Sequence, residues 1–221
     1  MLKSSMTMAA VREALRGPLP GAEAQQRMAT RPRSTPGDFA HAGPPRESAV
    51  LILLYPQGGA LYLPLTKRTE RVANHKGQIS FPGGSREPED ATLYDTALRE
   101  AAEEIGVDPA TVERLGALTQ LTIPASHFVI QPYLAACPAR PAFAPDPAEV
   151  AELIELPLEA LLDPASKREE RWEWRGRPTD VPYYAYQGHV IWGATAMMLS
   201  ELEALLRETT EGQRHRGTEV F

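Results

Sequence analysis

Two rhythms of hydrophobic positions run along this chain. Residues 49–55 read AVLILLY without alternation, which predicts a strand buried on both faces. Gln57-Gly58-Gly59 turns the chain into a second strand over 60–65, and a short strand over 78–81 enters the turn Pro82-Gly83-Gly84. Past that turn the period changes to the roughly 3.6 residues of a helix, which ends at Gly106. Asp90 stands as its N-cap, Gly106 as its C-cap, and Leu98, Ala102 and Ile105 as its core stripe. Residues 115–121 and 128–134 predict a strand pair around Pro124-Ala125-Ser126, followed by a Pro- and Ala-rich, mobile loop over 136–147. A strand over 150–156 leads into a short helix over 157–162 with Pro157 in its first turn. Residues 172–175 and 182–186 alternate on either side of Gly176 and predict a β-hairpin, and 193–207 predict an amphipathic closing helix. Strands of mixed type with helices on both sides make an α/β fold, an α/β/α sandwich on a mixed β-sheet.

The ends of the chain read differently. Residues 8–16 predict a short helix stopped by Gly17-Pro18, and the stretch to Pro45, rich in Pro, Gly, Ala and Arg, reads as linker or disorder. The polar residues 208–221 read as a frayed tail. The expected organisation is an N-terminal extension over 1–45, one domain over 46–207 and the tail.

The helix that ends at Gly106 carries the chemistry. At about 100° per residue, Glu100 and Glu104 lie one turn apart on one face, with Glu103 beside them. Carboxylates near a helix C-terminus oppose the helix dipole and repel one another. A Mg²⁺ or Mn²⁺ ion relieves both costs, because hard cations take oxygen ligands. A solvated acidic face is the competing explanation for E-x-x-E-E alone.

Composition narrows the choice. The 221 residues are 43% hydrophobic with a formal net charge of −6, which argues against a nucleic-acid or anionic-membrane surface. Cys137 is the one cysteine, so an internal disulfide is impossible and a reducing cytoplasm is the simple expectation. No apolar run approaches the ~20 residues that span a bilayer.

The stretch GGSREPEDATLYDTALREAAEEIGV, Gly83 to Val107, resembles the Nudix box, with its REUxEExGU core (U aliphatic) at Arg99 to Val107. Leu65-Thr66-Lys67-Arg68-Thr69, His75-Lys76-Gly77-Gln78 and Phe81-Pro82-Gly83-Gly84 are similar to the LLTxR(S/T)…HxGQ(V/I)xFPGG pattern of the coenzyme A pyrophosphatase subfamily of Nudix hydrolases. The segment from His189 to Thr195 is similar to that subfamily's (Y/H)xxWGxTA, so the likeness covers about residues 46 to 206. The box has one residue more than the general pattern between Gly84 and Arg99, a spacing shared with coenzyme A members, so Asp90 takes the place of the usual glutamate. Where the subfamily carries an Arg, this chain has Ala73, with Arg71 close by.

The resemblance implies the Nudix fold with a loop-helix-loop catalytic box. It implies metal ligands at Glu100 and Glu104, then Glu103. The catalytic set is Glu103, Glu149 and Arg99. Arg99 points away from the metal face and holds the loop by pairing with Asp90 or Glu87. Glu149 is the first choice for general base, ahead of Glu152 and then Glu103. Substrate contacts fall to Arg68, His75, Arg71, Gly83 and Gly84, and Lys76 and Arg86 join Arg68 and Arg71 as candidates to attract an anionic substrate. The implied reaction is Mg²⁺- or Mn²⁺-dependent hydrolysis of the diphosphate of coenzyme A and its derivatives by a monomer or homodimer. Another nucleoside-diphosphate-X substrate such as ADP-ribose is the alternative. A non-catalytic nucleotide sensor and a plain interaction protein with an acidic helix are the alternatives of other classes. The aromatic residues around Trp172 and Tyr183 fit either an adenine-stacking surface or a satellite apolar cluster.

Overall fold

The computed structural model describes residues 6–33, 35–39, 41, 43–69, 77–174 and 176–218, with side chains as far as 208 in the last helix. Its organising element is β1 (Arg46–Gln57), buried through most of its length. Successive side chains of a strand point to opposite faces. Ala49, Leu51, Leu53 and Tyr55 enter one hydrophobic cluster with Ala97, Ala101 and Ile105 of helix α3 (Leu93–Ile105). Val50, Ile52 and Leu54 enter a second cluster with Leu199, Leu202 and Leu206 of helix α5 (Gly193–Thr218). The unbroken apolar run is therefore one strand serving two cores.

Around β1 the sheet is mixed and eight-stranded. Its partner β7 (Phe128–Ala136) runs parallel to it, from Arg46 opposite Phe128 to Leu54 opposite Ala136. On the other side β4 (Gly83–Ser85) pairs antiparallel with residues 48–50, and β2 (Ala60–Arg68) with residues 55–57. Strand β2 also carries β3 (Ile79–Ser80) and β8 (Val150–Pro157), while β7 carries β5 (Glu113–Ala117) and β6 (Leu121–Ile123). With α3 on one face and α5 on the other, this is the expected α/β/α sandwich. Helix α4 (Leu158–Leu161) is shorter than expected because Pro157 sits at its N-cap, outside the first turn.

The hairpin is longer than its aromatic alternation suggested, β9 (Lys167–Trp174) against β10 (Arg177–Tyr186), and a third strand, β11 (His189–Trp192), completes it. Tyr184 and Ile191 turn into the α5 core. On the opposite face Trp172, Trp174 and Trp192 pack edge to face, with ring centroids 5.3 and 4.9 Å apart. Cys137 is buried, and burial pushes its thiol pKa up.

Residues 8–14 form the short helix expected there, while the stretch after it departs from the linker expectation. Helices α1 (Met8–Ala14) and α2 (Gly21–Gln26) lie on α5, with Val11 and Ala24 fully buried. The reason lies in α5, whose residues 195–206 are all buried, so it is buried all round rather than amphipathic and needs cover on its outer side. Its backbone also continues helical to Thr218, into the stretch expected to fray. Two glutamates share that burial, Glu201 and Glu203, and each is matched. Gln25 Nε2 donates to Glu201 Oε2 and to the Thr119 carbonyl, both at 2.8 Å. Glu203 accepts from Tyr184, Lys167 and Arg207.

Gln25→Ala leaves a buried carboxylate oxygen and a half-buried carbonyl without this donor. The expected loss is about 1–3 kcal/mol of unfolding free energy in urea denaturation. A variant within ~0.3 kcal/mol of the parent would show that the N-terminal helices add nothing to the folded core.

Candidate active site

Helix α3 starts two residues later than its sequence suggested. Thr92 is the N-cap, accepting from the Asp95 amide, while Asp95 reaches back to the Thr92 amide in a capping box. Asp90 is withdrawn from capping by Arg99. The buried Asp90 carboxylate accepts from Arg99 Nε at 3.1 Å and Nη2 at 3.0 Å, from the Thr96 hydroxyl at 2.9 Å and from the Glu87 amide at 2.9 Å. The Arg99 hydrogen bonds, ahead of the other contacts, hold its pKa far below the usual carboxylate range. Arg99 Nη2 also donates to the Ser85 carbonyl, so one guanidinium fastens the 85–90 loop to the helix.

Arg99 does not point away from the acidic face. Its Nη1 lies 2.9 Å from Glu100 Oε1 and 3.1 Å from Glu103 Oε2. Long side chains one turn apart on a helix meet, and Arg99 with Glu103 is such a pair.

The helix stands close to the sheet because its buried stripe is Ala97, Ala101 and Ile105, with Leu98 and Ala102 on the flank. Two alanines allow close approach, and Glu104, next to Ile105, is drawn under with them to 3% exposure. Glu103, by contrast, is exposed. A Cβ on Gly84 would sit 2.4 Å from Glu100 Oε1, and one on Gly83 would sit 2.3 Å from the Ala49 carbonyl. Strand β4 is thus wedged between β1 and the Glu100 carboxylate, where no side chain fits.

The far wall comes from the loop before β8. Gly106 ends α3 at φ 70°, and the Asp146 and Ala144 amides donate to the Glu104 and Ile105 carbonyls, each at 2.9 Å. The Thr69 amide and hydroxyl donate to the Glu149 and Ala148 carbonyls at 2.9 and 3.0 Å. Arg140 forks onto Glu155 with two bonds of 2.8 Å. These contacts pin a loop expected to be mobile, and they set Glu149 beside the box. Arg68, at the end of β2, spans the gap, with Nη1 3.2 Å from Glu104 Oε1 and Nη2 3.3 Å from Glu149 Oε2.

Burial, only partly offset by Arg68 and reinforced by Glu100 and Glu149, pushes the pKa of Glu104 up to about 7. Burial also raises Glu100, against the opposing hydrogen bond from Arg99. Among the described residues no three Asp, Glu, His or Cys side chains converge on one point. Arg99 draws Glu100 and Glu103 to one side, and Arg68 draws Glu104 and Glu149 to the other. The donor set still fits a hard divalent cation. It offers carboxylate oxygens alone, and Glu104 Oε2 is buried without a hydrogen-bond partner among the described residues.

The structure therefore brings together Arg68, Gly83, Gly84, Arg99, Glu100, Glu103, Glu104 and Glu149. It does not bring Glu152, which faces Lys67 at 3.8 Å and His189 at 3.3 Å. Arg86 is engaged with Glu47 and with the Asp90 and Ala91 carbonyls. Arg71, His75 and Lys76 lie outside the described residues. Sequence reasoning missed Asp146 and quoted Thr69 only as part of a motif; both act by bonding to the backbone of the loop before β8, a partner that no local pattern reveals. It also missed the reach of Arg99 to Glu103, although their spacing of four was visible.

A family profile described as NUDIX domain matches residues 45–177. The chain is 36% identical over 138 residues to a protein named "Uncharacterized Nudix hydrolase NudL" from Photorhabdus laumondii, a match covering 62% of this chain and 73% of that one. Its likeness to the protein of the same name from Pectobacterium atrosepticum is 37% over 162 residues, 71% of this chain and 81% of that one. Among solved structures, a MutT/nudix family protein from Enterococcus faecalis superposes with a TM-score of 0.52 at 15% identity, covering 85% of this chain and 74% of that one, a likeness of fold.

Two outcomes are expected from this geometry. A carboxylate whose folded pKa lies above its unfolded value stabilises the fold fully below the unfolded value and ceases to as pH rises through the folded one. Between the ordinary 4.5 and about 7, Glu104 thus costs the metal-free fold up to about 3 kcal/mol by pH 8. Urea unfolding in EDTA is expected to show stability falling from pH 5 to pH 8, with Glu104→Gln flattening the slope. Equal slopes in the two proteins would remove Glu104 as its source. Gly84→Ala is expected to displace the Glu100 carboxylate and weaken Mn²⁺ binding at least about tenfold, read by electron paramagnetic resonance.

Proposed function

The chain belongs to the NUDIX domain family and is a Nudix hydrolase, and on that premise we propose that it cleaves the diphosphate of coenzyme A and its derivatives. The observation that carries this reading is the position of Arg68. It belongs to the Leu65–Thr69 motif that resembles the coenzyme A subfamily, far from the box in sequence, yet its guanidinium ends between the box carboxylate Glu104 and Glu149 of the loop before β8. The Pro82-Gly83-Gly84 turn of the same pattern supports it from the other side, against Glu100.

Water adds to one phosphorus and the bridging P–O bond breaks, giving 4′-phosphopantetheine (or its acylated form) and adenosine 3′,5′-bisphosphate. Glu100 and Glu104, with Glu103 as third ligand, would hold Mg²⁺ or Mn²⁺, which when bound would supply Lewis-acid neutralisation of phosphate oxygens and lower the pKa of a water. Glu149 is the general base, set on the loop docked to the end of α3 and poised to take a proton from the attacking water. Arg99 holds the 85–90 loop and the Glu100 and Glu103 carboxylates in place, a positioning role. Gly84 leaves room at the Glu100 carboxylate, and Arg68 answers the negative charge of the diphosphate. These cationic groups and the metal offset a chain whose net charge of −6 would otherwise repel the substrate.

Turnover is to be measured on coenzyme A, 3′-dephospho-coenzyme A, ADP-ribose, NADH and diadenosine polyphosphates, with Mg²⁺ or Mn²⁺ against EDTA and products identified by mass. Metal-dependent release of adenosine 3′,5′-bisphosphate, well above the other substrates, is expected. Cleavage of ADP-ribose with coenzyme A untouched would overturn the substrate, and binding without cleavage would favour a sensor. Glu104→Gln and Glu149→Gln are each expected to lower kcat by about 100-fold or more with unchanged circular dichroism.

A further inference from the structure

The two arginines of the site are held in different ways. Arg99 is fixed by groups outside the carboxylate face, Asp90 and the Ser85 carbonyl, whatever Glu100 and Glu103 do. The guanidinium of Arg68 has Glu104 and Glu149 as its partners among the described residues. Both contacts are long, 3.2 and 3.3 Å, where charge-assisted N–H···O bonds settle near 2.7–2.9 Å. One fork is stretched between two carboxylates on separate elements, the end of α3 and the loop before β8.

A divalent cation binds carboxylate oxygens at about 2.0–2.6 Å and carries twice the charge, so it takes Glu104 from a loosely held guanidinium. Arg68 is then a cation beside a cation, about a quarter exposed, with one carboxylate lost and the other, Glu149, drawn to the attacking water. A phosphate oxygen restores the balance, and the planar fork of an arginine matches it. We propose that Arg68 couples cation occupancy to diphosphate binding: its guanidinium bridges Glu104 and Glu149 in the metal-free site and turns to a substrate phosphate once a divalent cation takes Glu104 and frees Glu149 for the attacking water. This deepens the metal-dependent reading above and rests on it. It makes binding ordered, cation before diphosphate. It also keeps the empty site from spending its arginine on stray anions.

The test is a cycle on the full chain with α,β-methylene-ADP, a nucleoside diphosphate that the reaction does not cleave, as probe in calorimetry. Affinities are measured for the parent and Arg68→Ala, with and without Mn²⁺. Arg68→Ala is expected to weaken the probe about tenfold with Mn²⁺, about 1.4 kcal/mol, and less than about twofold without it. Arg68→Lys, which keeps the charge but not the fork, is expected to show the same pattern at smaller size and serves if the alanine variant fails to fold. Equal weakening with and without Mn²⁺ would make Arg68 a plain phosphate ligand and overturn the coupling, as would no weakening in either condition. Mn²⁺ titration by electron paramagnetic resonance separates the underlying reading. If Glu104→Gln leaves Mn²⁺ binding unchanged, the metal site itself is wrong and the coupling falls with it. If Glu104→Gln abolishes binding while the Arg68 pattern is absent, the coupling alone fails.

Discussion

Crowded negative charge at the wrong end of a helix is the constraint that the rest of this molecule answers. Glu100, Glu103 and Glu104 stand where the dipole of α3 already concentrates negative potential, and Glu104 is buried there. Such an arrangement folds only with counter-charge at hand. Arg99 supplies it on one side and Arg68 on the other. Neither is local decoration, since Arg99 ties in the preceding loop and Arg68 brings in strand β2 and the loop before β8. The architecture around the helix is in this sense a frame for keeping like charges together.

The sheet makes that frame rigid. One strand, β1, feeds side chains of alternate parity to two cores, so the surface that carries α3 cannot shift without disturbing the surface that carries α5. The glycines of β4 then set how near the helix comes, because any side chain on Gly84 would enter the space of the Glu100 carboxylate. The end of α3 is closed by backbone donors from Ala144 and Asp146. The same stretch of chain that satisfies the helix terminus thereby delivers Glu149.

Elements set by local periodicity were legible in the sequence, namely β1, the box helix, its Gly106 cap and the hairpin. Whatever depended on distant partners was not. Asp90 reads as an N-cap until Arg99 claims it, and the cap falls instead to the Thr92–Asp95 capping box. Glu104 reads as a metal ligand on an acidic face, with no sign that it is buried; its burial follows from the small Ala97 and Ala101 beside it, which let the helix sink. The pairing of Arg68 with Glu104 spans thirty-six positions and leaves no local trace. The stretch from the first short helix to Pro45 reads as linker from its Pro, Gly, Ala and Arg, yet Ala24 and Met28 are small pieces of a core completed elsewhere.

That N-terminal cover also fixes how the molecule opens. Gln25 joins α2 to Glu201 on α5 and to the Thr119 carbonyl of the segment between β5 and β6, and the Ser200 hydroxyl donates to the Ala24 carbonyl. Peeling α2 away strands a buried carboxylate, so the arm and the middle of α5 form one cooperative unit, with amide protection rising and falling together. The carboxylate helix lies across the sheet from that unit, in the other cluster. Fluctuations that loosen the α5 side reach the chemistry through the strands that serve both clusters, β1, β7 and β8, and through β2, which carries Arg68, so the two halves keep separate thermal lives as long as those strands stay paired.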